Sequence, residues 1–206
     1  MATVDSAVSA SAVDASGAGV AARPLRADAR RNRDAILAAA HATFEVEGVL
    51  ASLDGIAVKA GVGNATLYRN FPTRDDLLAA VIQDSIVAML VEGDELSRTL
   101  SPAEALSEWC VRVAWQLRIW HDLPGCVVSA LADEASPMNT ACVPLQARTS
   151  MMLDAARAAG SVTSDVTADE IYELITTLSW GLDRFAVDAP AARRRVLLAT
   201  AGLFAR

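Results

Sequence analysis

No run of 18 or more apolar residues occurs in this 206-residue chain, although 53% of it is hydrophobic, so no segment is expected to span a membrane. Histidine is scarce, with two residues in the whole chain. GxSxG, Walker, HExxH and GxGxxG patterns are all missing, and no carboxylate pair has an obvious partner, so an enzyme is not expected. Cys110, Cys126 and Cys142 form no CxxC pair. Their odd number, without a basic and apolar leader in residues 1–22, points to a reducing cytoplasm and to small buried hydrophobes rather than disulfides or metal ligands. No metal or organic cofactor is expected. Proline is limited to 7 residues and alanine dominates over the β-branched types, a composition that favours helices over strands.

The net charge of −7 argues at first against a nucleic-acid partner, but its distribution is uneven. Residues 1–22 carry −2, residues 23–75 carry +2, and residues 76–206 carry −7. A locally basic module beside an acidic body suits a protein that offers one end to DNA. Residues 1–22, small and slightly acidic, read as a disordered tail. Residues 23–72 read as a small domain, and residues 73–206 as a larger one.

Hydrophobic periodicity predicts an all-α chain of about nine helices. The first covers 29–47 with Ile36, Leu37, Ala40 and Phe44 on its apolar stripe, and Gly48 stops it. Ser52 caps a second, 53–60, and Gly61-Val62-Gly63 turns the chain into a third, 64–70. Phe71-Pro72 ends that helix, and Thr73 caps a long fourth that Gly93 delimits. Further helices are expected at 102–121, 126–135, 142–159, 167–187 and 191–205, with Pro124-Gly125 as a break.

The segment from Ser52 to Arg74 carries the chemistry. Two short helices around a glycine turn form a helix-turn-helix, with Ala57, Val62 and Leu67 as its small, turn and inward anchors. Asn64, Ala65, Thr66, Tyr68, Arg69 and Asn70 are left to face outward. Arginine pairs with guanine, asparagine with adenine, and alanine and threonine methyls meet thymine, so these are side chains a major groove accepts. Tyr68 and Arg74 are better placed for phosphates. The arginines at 23, 26, 30, 31 and 33 read either as an arm toward a neighbouring groove or as a solvated tail.

Residues 30–78 resemble the N-terminal domain of the TetR family of bacterial transcription regulators. The match runs through Ile36 and Phe44, then Asp54-x-Ile56-Ala57-x-x-Ala60-Gly61-Val62. It continues through Thr66-Leu67-Tyr68-Arg69-x-Phe71-Pro72-Thr73-Arg74 and Leu77-Leu78. The resemblance implies a homeodomain-like three-helix head, a helical ligand-binding body and a homodimer on palindromic double-stranded operator DNA. It places DNA contacts at Asn64, Ala65, Thr66, Tyr68, Arg69, Asn70 and Arg74, with Ser52 near a phosphate. It gives dimerisation to the last two helices, hence to Ile171, Leu174, Ile175, Leu178, Leu182, Phe185, Val196 and Leu203. Asn70, Arg74 and Gly55 depart from the common pattern, which bears on the operator sequence rather than the fold.

For the body, a repressor released by a small apolar or aromatic effector is expected, with Met89, Trp109, Gln116, Trp120, Met152, Tyr172 and Trp180 as pocket candidates. Two alternatives stand beside it: a redox-responsive regulator using the cysteines, and a DNA-binding regulator with no ligand.

Overall fold

The computed structural model describes residues 22–162 and 165–204. Its helices are α1 (Ala22–Glu47), α2 (Leu53–Lys59), α3 (Asn64–Asn70), α4 (Arg74–Val81), α5 (Gln83–Thr99), α6 (Pro102–Gln116), α7 (Leu123–Leu131), α8 (Pro137–Ala158), α9 (Ala168–Arg184) and α10 (Ala189–Thr200). A 3-10 turn, Ala201–Leu203, follows. A single Val162–Phe204 bridge is the only β pairing among the described residues.

The head is α1–α3. Ile36, Ala40 and Phe44 of α1 meet Ile56 and Ala57 of α2, Leu67 of α3 and Phe71 in one buried cluster. The expected tail, 1–22, lies outside the described residues except for Ala22, which opens α1. α1 starts seven residues earlier than periodicity indicates, so positions 23–33 are helical. Arg31 pairs with Asp28, and the Arg33 guanidinium lies 4.4 Å from the Phe71 ring centroid. Gly48 ends α1 in the left-handed region at φ 79°, where only glycine is free of penalty.

The body is built on α6, whose Leu106, Trp109, Cys110, Val113 and Ala114 are buried among α5, α8, α9 and α10. Capping boxes at Thr73/Asp76, Ser101/Glu104 and Thr167/Glu170 start α4, α6 and α9. Each satisfies two amide donors that a helix start leaves open.

Several boundaries differ from the periodic reading. The expected long fourth helix is two, because the chain tightens at Ile82 (φ −78°, ψ −6°) before resuming. This division brings the count to ten α-helices among the described residues. Gly93 does not delimit a helix. It is buried inside α5, where a Cβ would lie 3.0 Å from the Trp109 ring, so a large side chain on α6 requires it. Pro124-Gly125 lies in the first turn of α7 instead of breaking the chain, since proline lacks only a hydrogen that a first turn does not use. α8 starts at Pro137 behind the Ser136 cap and runs through Pro144, which is exposed. α6 stops at Gln116, and residues 117–122 form a compact turn that becomes the joint described below.

Candidate nucleic-acid interface

The helix-turn-helix is held from within. Ala57 and Leu67 are buried, Val62 packs half-buried against the same core, and Gly61 turns the chain at φ 69°. Lys59 ties α2 to α1 by donating to Glu47 at 2.7 Å and Thr43 at 3.2 Å. α3 therefore stands on a fixed base with its polar side outward.

On that side Asn64, Ala65, Tyr68 and Arg69 are exposed, and Thr66 and Asn70 are half-buried. Local bonds already orient several of them. Asn64 Nδ2 donates to Asp54 at 2.9 Å, Arg69 to the Thr66 hydroxyl at 3.0 Å, and Asn70 Nδ2 to the Thr66 carbonyl at 2.8 Å. Asn70 is thus turned back onto its own helix. Ser52 is exposed and caps α2 by accepting from the Gly55 amide at 3.3 Å.

Arg74 has a structural partner inside the head. Its guanidinium donates to the carbonyls of Val49 and Ala51 at 2.6 and 2.7 Å. It closes the α1–α2 loop onto the start of α4, and sequence spacing gave no sign of a partner 25 residues away. Next to it, Asp75 accepts from the Ser136 hydroxyl at 3.1 Å, and Leu77 and Leu78 are fully buried. α4 therefore grips the head with one residue and the body with the next.

The body contains an apolar cleft between α5, α6, α7 and α8, lined by Ile82, Ile86, Met89, Val113, Gln116, Leu117, Val127, Cys142 and Leu145 among others. Gln116 and Ser85 are its polar groups apart from the Cys142 thiol, and no aromatic ring lines it. Its free interior is about 30 Å³, room for one water. Two of the seven pocket candidates, Met89 and Gln116, lie on this lining. The other five are elsewhere: Trp109, Trp120, Met152 and Tyr172 are taken up by core packing, and Trp180 stays at the surface. Trp109 is fully buried and donates to Thr149 at 2.9 Å. Trp120 packs on Phe44 (centroids 5.5 Å) and edge-on to His41 (5.3 Å), between body and head. Met152 is core. Tyr172 is buried beside a surface groove with Glu134, Asp169 and Glu173, and Trp180 is half-exposed near Gly125.

The expected interface residues divide similarly. Ile171, Ile175, Leu182, Val196 and Leu203 are buried inside the chain itself and have no surface for a partner. Leu174 and Leu178 are half-buried, and Phe185 is 77% exposed. The thiols are poorly suited to redox sensing. Burial pushes Cys110 up to about 12. Burial likewise raises Cys126, helped by the Asp75 charge, and Cys142, so few thiolates exist at neutral pH.

Two short helices locked around a glycine turn, with a polar recognition surface outward and an acidic helical body behind, define a helix-turn-helix DNA-binding protein. Residues 36–81 match the domain described as bacterial regulatory proteins, tetR family. Residues 101–205 match the transcriptional regulator SbtR-like C-terminal domain. The chain belongs to the TetR family of transcriptional regulators. It is similar to a TetR transcriptional regulator from Streptomyces coelicolor, 34% identical, with 84% of this chain and 98% of that chain covered and a TM-score of 0.51. A fatty acid degradation regulator from Bacillus halodurans, 19% identical over 82% of this chain and 94% of its own, shares the fold at a TM-score of 0.61. An HTH-type transcriptional regulator of Staphylococcus aureus is 45% identical over 60 residues, 29% of this chain and 32% of its own length. The chain thus aligns with only about a third of the curated relatives it matches.

Proposed function

We propose that this protein is a cytoplasmic homodimeric repressor of a palindromic operator, released by an uncharged, largely aliphatic small molecule in the α5–α8 cleft. The observation that carries the reading is the position of Ile82. This residue forms the joint between α4 and α5 and also lines the cleft. A ligand entering so narrow a space has to part α5 from α6 and α7, and the displacement reaches α4 at its end. Arg74 at the other end of α4 holds the α1–α2 loop, so the spacing of two recognition helices changes with it. Half-sites lie about one DNA turn apart or a multiple of it, and a modest change in spacing prevents both from docking. A coupling of about 1–3 kcal/mol gives roughly 5–150-fold relief. The cleft lacks rings and charges, so an aliphatic ligand with one hydrogen-bonding group toward Gln116 or Ser85 suits it better than a flat aromatic one.

Asn64, Ala65, Thr66, Tyr68 and Arg69 serve as the base- and phosphate-reading set, with Ser52 at the neighbouring phosphate and Asn70 at the margin. In the dimer, Leu174 and Leu178 of α9 and Phe185 at its C-cap supply an apolar stripe through i, i+4 and i+11 spacing. Leu198 of α10, 77% exposed, extends the apolar surface.

DNA selection from random duplexes gives the operator, and fluorescence anisotropy on that duplex tests release. An aliphatic carboxamide or ester series is expected to weaken binding at least fivefold for the wild type. Ile86→Trp, which fills the cleft, is expected to abolish the response while keeping operator affinity. A second reading, a regulator with no ligand, is favoured by the 30 Å³ interior. Unchanged operator affinity across the series, with no thermal shift by any member, would establish it instead.

A further inference from the structure

The turn between α6 and α7 is where body meets head, and it carries a side-chain cluster that neither DNA contact nor cleft uses. His121, Asp122 and Asp183 each present a ligand-type atom, all within 4.8 Å of one another. His121 Nδ1 is 3.1 Å from Asp183 Oδ2, and its Nε2 is 3.5 Å from Asp122 Oδ2. Asp122 stands at the N-cap of α7, where a carboxylate ordinarily accepts from first-turn amides. It makes no such bond and is turned toward the histidine. Its backbone is left-handed, φ 65°, and its amide donates to Asp183 at 3.2 Å.

We infer that His121, Asp122 and Asp183 form a binding site for a divalent transition-metal ion of the zinc or cobalt type. Bonds of 2.0–2.2 Å to nitrogen and oxygen place ligand atoms on one ion about 3–4 Å apart. A single ion takes one ring nitrogen, and one ligand atom from each of the three residues already lies within 4.8 Å of the others, so a side-chain rotation that brings both carboxylates to the same nitrogen completes the set. An imidazole with two carboxylates selects borderline ions over magnesium or calcium, which prefer oxygen alone. Three protein ligands leave coordination positions for water. Arg184, 3.7 Å from Asp122 Oδ1, opposes the ion but approaches the other oxygen of that carboxylate. Asp183 has only 10% of its side chain exposed, which favours its exchanging the weak histidine contact for a metal bond.

The location gives the site a structural consequence. The His121 carbonyl accepts from the Val49 amide at 3.1 Å, and a Cβ on Gly48 would lie 3.1 Å from the same oxygen. An ion on His121 therefore fixes the seat against which the α1–α2 loop rests, together with the end of α9.

The test uses the tag-free full chain, stripped with a chelator and titrated with Co²⁺, whose visible d–d bands report protein ligands. The expected result is a saturable band at one Co²⁺ per chain, removed by Zn²⁺ and not by Mg²⁺. His121→Gln and Asp183→Asn should each weaken binding at least tenfold, and Arg184→Ala should tighten it. Melting in chelator confirms that the variants are folded, and His41→Gln, at the remaining histidine, should leave the titration unchanged. No saturable band, or equal binding by wild type, His121→Gln and Asp183→Asn, would overturn the inference.

Discussion

Head and body use their apolar residues to opposite ends. In the head a compact cluster around Phe44, Ile56 and Leu67 holds a seven-residue helix so that its polar side stays outward. In the body a larger core around Trp109 nearly fills itself, leaving a cleft with about 30 Å³ of free interior. The first arrangement is specified by a few short-range spacings. The second depends on which large side chains claim the interior, and that competition is settled between helices far apart in sequence. The lesson is that a fixed recognition surface and a deformable regulatory interior impose different demands on a chain, and only the first leaves a dense pattern in it.

The largest loss is expected at Leu67. Leu67→Ala removes the anchor behind the recognition helix and is expected to cost about 2–5 kcal/mol. Specific operator binding should disappear while circular dichroism of the body helices persists, which urea unfolding and anisotropy would show together.

Arg69 and Arg74 sharpen the comparison next. Arg74→Ala leaves two loop carbonyls without their charged donor and should lower stability by about 1.5–3 kcal/mol without altering base preference. Arg69→Ala should leave the unfolding midpoint nearly unchanged and cost about 1–3 kcal/mol of discrimination at one base position. A phosphate role for Arg74 would reverse the pattern, giving a reduced salt slope with normal stability.

A smaller effect tests the body's crowding. Gly93→Ala improves helix propensity by about 1 kcal/mol yet places a methyl 3.0 Å from the Trp109 ring. Overpacking costs of about 1–3 kcal/mol should win, and a lowered melting temperature would show it. A raised one would mean that the ring yields freely.

The smallest effect is electrostatic. Burial alone would raise the Glu108 carboxyl, but hydrogen bonds from Arg193 and Arg112 and their charges outweigh it and hold the group below its ordinary value. A lowered folded-state value stabilises the fold above the unfolded value and loses that contribution as pH falls through the folded one. Glu108→Gln should therefore cost at most about 1 kcal/mol at pH 7, as befits a partly exposed pair, and progressively less as the solution is acidified below the ordinary carboxylate range. Urea midpoints of wild type and variant across an acid titration measure the difference.

Much of the head was legible because its determinants are local. Ser52, Gly61, Val62 and Thr73 act within one or two turns of their own positions, so spacing identified the helices and the outward face. The hold of Arg74 on Val49 and Ala51 was not legible, because these partners come from a preceding loop whose path spacing does not give. In the body, the Thr167 cap and the α9 periodicity were readable. The periodicity could not say which apolar face of α9 meets the chain's own core, and Ile171 and Ile175 went to the interior while Phe185 stayed outside. Trp120 looked like a ligand-binding ring until the fold set it against Phe44.

The sequence by itself determined the helical class, the head's architecture and the side chains its recognition helix displays, because capping, glycine turns and 3.6-residue periodicity act over short stretches of chain. Tertiary structure alone decided the break at Ile82, the grip of Arg74, the aliphatic lining of the cleft and the meeting of His121 with Asp183. Each of those joins groups distant along the chain or follows from the competition of bulky side chains for one limited interior.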